Sequence, residues 1–386
     1  MRKVYIKGAA TTKFGELWDS SPRQLAGAAV REALADAGMT KDSIQALFVG
    51  NMLSGILGNQ EHLGAFFSEE LGLAVPSCKV EGACASGGLA VHVAFLAVTS
   101  GLYETVLVLG VEKMTDHKPE DVAAALMGAG SDQERSTGIT FPGLYGILAR
   151  SHMEAYGTTE TQLAAVSVKN HFHASLNPKA QFQKSLSIRD VLKSACVADP
   201  LKLLDCSPIS DGAAAVIISR VKGQGSRVRS GVEIIASAVA TDTLGLAERS
   251  SLVELKATKI AAQKAFRIAG ITAADIDTAE VHDCFTIAEI LALEDIGFYR
   301  KGQAAAAVTK GEVTLRSAKK VVVNTSGGLK ACGHPVGATG VKQIVEVYEQ
   351  LRSQADRRQV KGARFGLTHN VGGSGATAVV HILKKA

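Results

Sequence analysis

An α/β fold built from two related halves is the class this sequence predicts, on three observations. Strand-like and helix-like segments alternate along the chain, one helix–strand phrase recurs 232 residues later, and a segment of different texture interrupts the first half. The bulk composition agrees. A chain of 386 residues, 46% hydrophobic and 20% charged, suits two or three packed units and excludes disorder.

The first element is a strand in "KVYIKGAA". Ser21-Pro22 then supplies an N-cap and a first helical position, and Leu25, Ala29, Ala33, Leu34 and Ala37 follow at helical spacing before Gly38. "SIQALFVG" reads as the next strand, and alternation of this kind implies a parallel sheet between helices. The phrase "REALADAGMTKDSIQALFVG" (31–50) aligns without a gap on "QKAFRIAGITAADIDTAEVH" (263–282), placing Gly38 on Gly270, Ile44 on Ile276 and Val49 on Val281. A second echo joins "GAAAVIIS" (212–219) to "GATAVVHI" (375–382). One echo alone is no better than chance between two amphipathic units, but two in the same order indicate duplication. We expect a first half over 1–116 and 205–230, an inserted segment over 117–204 made largely of helix and loop, and a second half over 231–386.

The charge balance is mild, with 42 Lys plus Arg against 37 Asp plus Glu. The excess is scattered, which argues against a nucleic-acid surface and leaves room for an anionic small molecule. Six cysteines spread through a long chain with no secretory leader before Tyr5 read as reduced thiols, and the expected location is cytoplasmic. The uncharged stretch from Gly82 to Tyr103 reaches membrane-spanning length. Its four glycines, its serines and His92 favour a buried core helix, and no membrane is expected.

Three loops carry chemistry. "SCKVEGACASGGLAVHVAFLAV" reads as a strand, a turn of small residues and a helix beginning near Cys84, where the helix dipole would favour the thiolate. Read alone, Cys84 is more simply a small apolar core residue. "NTSGGLKACGHPVGATG" surrounds His334 with glycines, a setting for a base beside a substrate. "THNVGGSGA" offers successive backbone N–H groups around Val371, Gly372 and Gly373 for an oxyanion. The repeat lets the loops after Val111, Val281 and Asn370 converge at strand ends, where parallel-sheet sites gather. A metal site is the rival: His282, Cys284, Cys332 and His334 form two pairs of zinc-ligand types, but one intervening residue is fewer than the two to four usual in structural zinc pairs. Without zinc, Cys284 would be a core-facing strand residue and His282 merely hydrogen-bonded.

Taken in order, "CAS" at Cys84, "GVEKM", "SDGAAAV", "HDCF", "GHPVGATG" and "HNVGGSGA" resemble the thiolases, in particular the branch of sterol-carrier-protein-2 thiolases and archaeal acetoacetyl-CoA thiolases. The resemblance covers essentially the whole chain. It implies the thiolase fold: two βαβαβαββ halves in a five-layer α-β-α-β-α sandwich, with a loop domain inserted in the first. It implies Cys84 as the acyl-accepting nucleophile and His334 as its activating histidine. His282, where many thiolases have an asparagine, would stabilise the enolate oxygen. Gly372, with the Cys84 backbone N–H, would form the oxyanion hole, and Ser207 would touch the pantetheine arm. One departure stands out: Asn370 occupies the place of the usual second, acid/base cysteine, and the branch with His-Asp-Cys-Phe supplies that thiol from Cys284. Cys332 ranks below it.

The implied reaction joins two acetyl-CoA into acetoacetyl-CoA and CoA, or runs in reverse, with no metal and no cofactor, coenzyme A being substrate and product. A degradative 3-ketoacyl-CoA thiolase of longer chains and a β-ketoacyl synthase-like enzyme are the alternatives; a non-catalytic CoA-binding scaffold is the third. The resemblance further implies a homodimer or homotetramer, supply of mevalonate and isoprenoid precursors, and association with a hydroxymethylglutaryl-CoA synthase and a small OB-fold protein. The chain stops soon after its final strand, so no appended sterol-carrier domain is expected.

Overall fold

The computed structural model describes residues 2–220, 231–316 and 321–386. The expected junction between the halves, at 230/231, borders residues 221–230, which lie outside the described residues.

The first half runs β1 (Tyr5–Thr11), α1 (Pro22–Ala37), β2 (Leu47–Gly50), α2 (Leu63–Glu70), β3 (Ser77–Val80), α3 (Ser86–Ser100) and β4 (Thr105–Glu112). The chain then leaves the sheet to make α4 (Pro119–Leu126), α5 (Asp132–Ser136), α6 (Phe141–Tyr156), α7 (Glu160–Ala174), α8 (Ile188–Lys193) and the small pair β5 (Cys196–Ala198) and β6 (Leu201–Lys202). It returns as β7 (Gly212–Ser219). The second half repeats the plan with β8 (Val232–Thr241), α9 (Lys256–Ala269), β9 (Thr278–Glu280), α10 (Thr286–Asp295), α11 (Ala304–Thr309), β10 (Val322–Val323), α12 (Gly328–Cys332), α13 (Val336–Leu351), β11 (Phe365–Gly372) and β12 (Thr377–Lys385).

The strand orders match. The first sheet runs β3-β2-β4-β7-β1 and the second β10-β9-β11-β12-β8, and the two touch through a short antiparallel pairing of β1 with β8. Helices α3 and α13 pack against each other and against both sheets, which makes them the middle layer. With α1 outside the first sheet and α9 outside the second, the result is the expected five-layer α-β-α-β-α sandwich. The sheets are mixed rather than parallel. Strands β2, β3 and β4 run parallel, but β7 is antiparallel to both β4 and β1. In the second half the tight Gly373–Ala376 connection forces β12 antiparallel to β11, because so short a link cannot make a crossover.

Local chemistry explains the matched starts and stops. Ser21 caps α1 in a reciprocal box with Gln24, and Pro22 takes a position whose N–H needs no partner. Gly38 and Gly270 end α1 and α9 in the left-handed region, at φ 62° and 67°. That conformation is inexpensive only for glycine. The middle layer is tight for the same reason. A Cβ on Gly87 of α3 would lie 2.6 Å from the Gly337 carbonyl of α13. Around that crossing Ala90, Val91, Ala94, Phe95 and Val98 pack with Ile344, Val345, Val347, Tyr348 and Leu351.

The segment Ala83–Ser100 is long and apolar enough to cross a membrane, and half of it is buried inside the fold. It ends in α3, a middle-layer helix, which accounts for its apolar character.

Candidate active site

Cys84 sits in a pinned turn just ahead of α3. Ala83 adopts φ 53°, a strained value for a residue with a side chain, and its N–H bonds the Glu81 carboxylate. The Ser86 hydroxyl accepts the Gly82 N–H at 3.0 Å and donates to the Ala83 carbonyl at 2.6 Å. Ala85 is the N-cap, so the thiol stands two residues before the helix rather than on its first turn. The expected low pKa does not survive this placement. Burial pushes the Cys84 thiol up to about 12 and the Glu112 and Glu81 charges add to the rise, against the opposing N–H groups of Gly373 and of Cys84 itself. Desolvation of a thiolate outweighs a helix end that it does not touch.

His334 mirrors Cys84, standing two residues before α13. Its backbone N–H bonds the Ser210 hydroxyl at 2.9 Å, and its Nδ1 lies 2.7 Å from the Thr339 hydroxyl, one turn into the helix. Burial and the Lys342 charge lower it to about 3, so the ring is neutral. His282 follows β9 and packs edge-on against His334, with ring centroids 5.1 Å apart. Burial drives it well below the ordinary histidine range, so it too is neutral. The Cys84 sulfur and one ring nitrogen each of His282 and His334 lie within 4.8 Å of one another, and both imidazole Nε2 atoms are buried without a partner.

Cys284 lines the same cavity as Cys84 and His334. Its carbonyl accepts the Ser207 N–H at 2.9 Å, and the loop that carries it is clamped by Asp283. That carboxylate accepts the N–H groups of Leu329 and Lys330 at the start of α12, at 2.7 and 3.2 Å, and the Asn170 amide at 2.7 Å. Burial pushes the Cys284 thiol well above the ordinary range and the Cys84 charge raises it further, with the Tyr145 hydroxyl acting against them. Cys84, Cys284, His334, Ser207 and Gly373 line one cavity of about 200 Å3, whose other walls include Met114, Leu126, Phe141, Ile209 and Val336.

Asn370 lies behind the thiol rather than in the cavity wall. Its Oδ1 accepts the Gly88 N–H at 3.0 Å, while its Nδ2 reaches the Cys84 carbonyl at 3.0 Å and His282 Nδ1 at 3.1 Å. A backbone N–H that meets the Cys84 thiol is that of Gly373, one of the three amides of this turn. Gly372 itself is the last ladder residue of β11, opposite Thr377. The zinc alternative fails on geometry, because Cys332 points to a separate small pocket, with Asn177 Nδ2 at 3.7 Å from its sulfur. Among the described residues the only cluster of metal-ligand type is Cys84, His282 and His334.

Several contributors were not legible beforehand. Tyr145 arrives from the inserted segment, far from either cysteine in sequence. Its hydroxyl is 3.2 Å from the Gly373 carbonyl, and its ring stacks on Phe285. Glu112 binds the N–H groups of Met52, Leu53 and Gly337, tying the first sheet to the start of α13. Thr339 was within reach, since a hydroxyl five residues after His334 on a following helix faces back toward it.

A duplicated five-layer fold, with a thiol and an imidazole where its two middle helices begin and a second imidazole just past β9, defines the thiolase class. Comparison with known proteins agrees: a model described as "Thiolase, N-terminal domain" matches residues 4–222, and one described as "Thiolase C-terminal domain-like" matches 238–385. The chain belongs to the thiolase family. It is 48% identical to an acetyl-CoA acetyltransferase of Methanothermobacter thermautotrophicus, over 100% of both chains. It is 35% identical to human sterol carrier protein 2, over 98% of this chain and 71% of that protein. Among solved structures, the Ltp2-ChsH2(DUF35) aldolase superposes with a TM-score of 0.83 at 23% identity, over 100% of this chain and 98% of that one. The Acat5 thiolase from Ascaris suum in complex with coenzyme A gives 0.71 at 18%, over 100% of both. These last two bear on the fold alone.

Proposed function

We propose that the chain is an acetyl-CoA C-acetyltransferase that works through an acyl-cysteine at Cys84. The observation that carries this reading is the gathering of Cys84, His282 and His334 within 4.8 Å, with Cys84 and His334 lining the same apolar cavity as Cys284. Both thiols and both imidazoles are neutral, so the site holds no thiolate–imidazolium pair. Binding of a thioester lets His334 Nε2 take the Cys84 proton as sulfur attacks the carbonyl. The tetrahedral oxyanion is met by the Cys84 and Gly373 N–H groups, with Gly372 holding the turn. Collapse expels the CoA thiolate, which takes its proton from Cys284, leaving a Cys284 thiolate and a His334 imidazolium. The Cys284 thiolate removes an α-proton from the second acetyl-CoA, and His282 and His334 hold the enolate oxygen. The enolate carbon attacks the acetyl group on Cys84. As acetoacetyl-CoA leaves, Cys84 recovers its proton from His334 and every group returns to its starting state. Ser207 would meet the pantetheine arm, and Asn370 would position rather than bind.

The same reading takes residues 117–204 as the inserted domain, and the enzyme as a cytoplasmic homodimer or homotetramer feeding mevalonate precursors. Six free cysteines support the reducing location. The open edge of the first sheet at β3, beside exposed Leu96 and Leu102, supports self-association. The resemblance adds a small OB-fold partner protein and a hydroxymethylglutaryl-CoA synthase. A longer-chain 3-ketoacyl-CoA thiolase is favoured by one observation, the apolar cavity walls at Met114, Leu126, Phe141 and Ile209. Thiolysis rates across a series of 3-ketoacyl-CoA lengths separate the two. The test of the central reading is mass spectrometry after incubation with acetyl-CoA alone. An acetyl adduct is expected on the Cys84 peptide, and labelling confined to another cysteine would remove the mechanism.

A further inference from the structure

The two active-site histidines are chemically alike, buried and neutral, yet the mechanism asks opposite things of them. His334 must offer a lone pair to the Cys84 proton, whereas His282 must offer a hydrogen to an enolate oxygen. A neutral imidazole carries one hydrogen, and the partner of its inner nitrogen decides which face the outer nitrogen shows. The two inner partners differ, and each can be assigned from groups whose roles are unambiguous.

At His282 the partner is Asn370. The Gly88 N–H can only donate, and it lies 3.0 Å from one end of the Asn370 amide, so that end is the oxygen. The other end is therefore the NH2, and the Cys84 carbonyl, which can only accept, takes one of its hydrogens at 3.0 Å. The second hydrogen faces His282 Nδ1 at 3.1 Å. Nδ1 must accept, and the ring's hydrogen sits on Nε2, a buried atom without a protein partner. At His334 the partner is the Thr339 hydroxyl, which has a single hydrogen. The Pro335 carbonyl, again acceptor only, lies 3.0 Å from Thr339 Oγ1 and takes it. The hydroxyl then accepts from His334 Nδ1–H at 2.7 Å, which leaves Nε2 as a bare lone pair beside Cys84.

We propose that Asn370 and Thr339 are positioning residues that hold the two histidines in opposite tautomers, His282 as a fixed Nε2–H donor and His334 as an Nε2 base. Through a turnover His334 Nε2 gains a hydrogen and returns it, while Nδ1–H stays on Thr339. His282 never exchanges its hydrogen, because an amide NH2 has no lone pair with which to take one from Nδ1. Asn370 thus has a function of its own at the place where the resemblance leads one to look for a thiol. An Nε2–H also has no lone pair for a metal, so the lock works against zinc on the Cys84, His282 and His334 cluster.

This inference rests on the catalytic reading above, but its test does not use turnover. The resting full-length enzyme, labelled with 15N-histidine, reports each ring nitrogen as protonated or bare near pH 7, and the His282→Gln and His334→Gln variants assign the signals. His282 is expected bare at Nδ1 and protonated at Nε2, and His334 the reverse. Both rings in one tautomer, or the pair exchanged, would overturn the inference while leaving a Cys84 acetyl adduct untouched. A missing adduct would instead overturn the catalytic reading with the tautomers unchanged. Two variants add a functional readout. Thr339→Val should slow acetylation of Cys84 by roughly one to two decades, and Thr339→Ser should restore it, as expected when a base loses and regains its orientation. Asn370→Asp should turn His282 to Nδ1–H and lower methyl-proton exchange of acetyl-CoA by roughly two decades, with acetylation of Cys84 the less affected step. A turned His282 with undiminished exchange would also count against the proposal.

Discussion

Compare the two ends of the middle layer. Helices α3 and α13 hold equivalent places in the two halves, and two positions ahead of each stands one reactive side chain, Cys84 in one and His334 in the other. The strand ends beside them diverge further. The repeat pairs Gly50, at the end of β2, with His282, just past β9. A Cβ on Gly50 would lie 2.8 Å from the Gly87 Cα, so the first half uses this position for close packing. The second half uses it for chemistry. Duplication therefore delivered two similar backbone frames facing one another, and the site arose because the halves were filled differently.

The largest expected effect removes the second half's contribution. His334→Ala should slow acetylation of Cys84 by roughly two to four decades, the usual worth of a positioned base, as read by single-turnover adduct formation. An unimpaired rate would mean that the helix ends are not a nucleophile–base pair. The next sharpens the claim that the thiol is not preionised. With Cys84 pushed up to about 12, the thiolate fraction rises through the whole accessible range. Alkylation of Cys84 by iodoacetamide should therefore climb about tenfold per pH unit from pH 7 to 10, since the thiolate is the reacting species. A flat profile above pH 7 would mean that the thiolate is already formed. The smallest probes the first half's packing. Gly50→Ala should cost about 1–3 kcal/mol of stability, measured by denaturant unfolding, with little change in the chemistry once folded. A neutral result would mean that the glycine contact is not what seats α3.

Much of this was legible from local rules. The helix stops at Gly38 and Gly270, the cap at Ser21-Pro22 and the two ordered echoes give the duplicated fold, because caps and periodicity act within a few residues. The glycine-rich loops pointed to the right neighbourhoods, and Gly373 of "THNVGGSGA" is an amide that meets the Cys84 sulfur. The sign of the Cys84 pKa was illegible for a physical reason. A helix dipole is a property of sequence position, whereas desolvation depends on every element packed around the thiol. Tyr145 escaped for the same reason, being brought to Cys284 by the fold of the inserted segment with no local pattern to announce it.

The division of labour between the two thiols is the central claim, and Cys284→Ala tests it most directly. The variant keeps Cys84, His334 and the Gly373 amide, and His334 can hand its proton to the departing CoA, so acetylation of Cys84 should survive. Exchange of acetyl-CoA methyl protons with deuterated water, and formation of acetoacetyl-CoA, should both fall by roughly two decades or more with the loss of the base. Cys332→Ala, whose sulfur lies in a separate pocket, should leave both intact. Exchange retained in Cys284→Ala and abolished in Cys332→Ala would contradict the account.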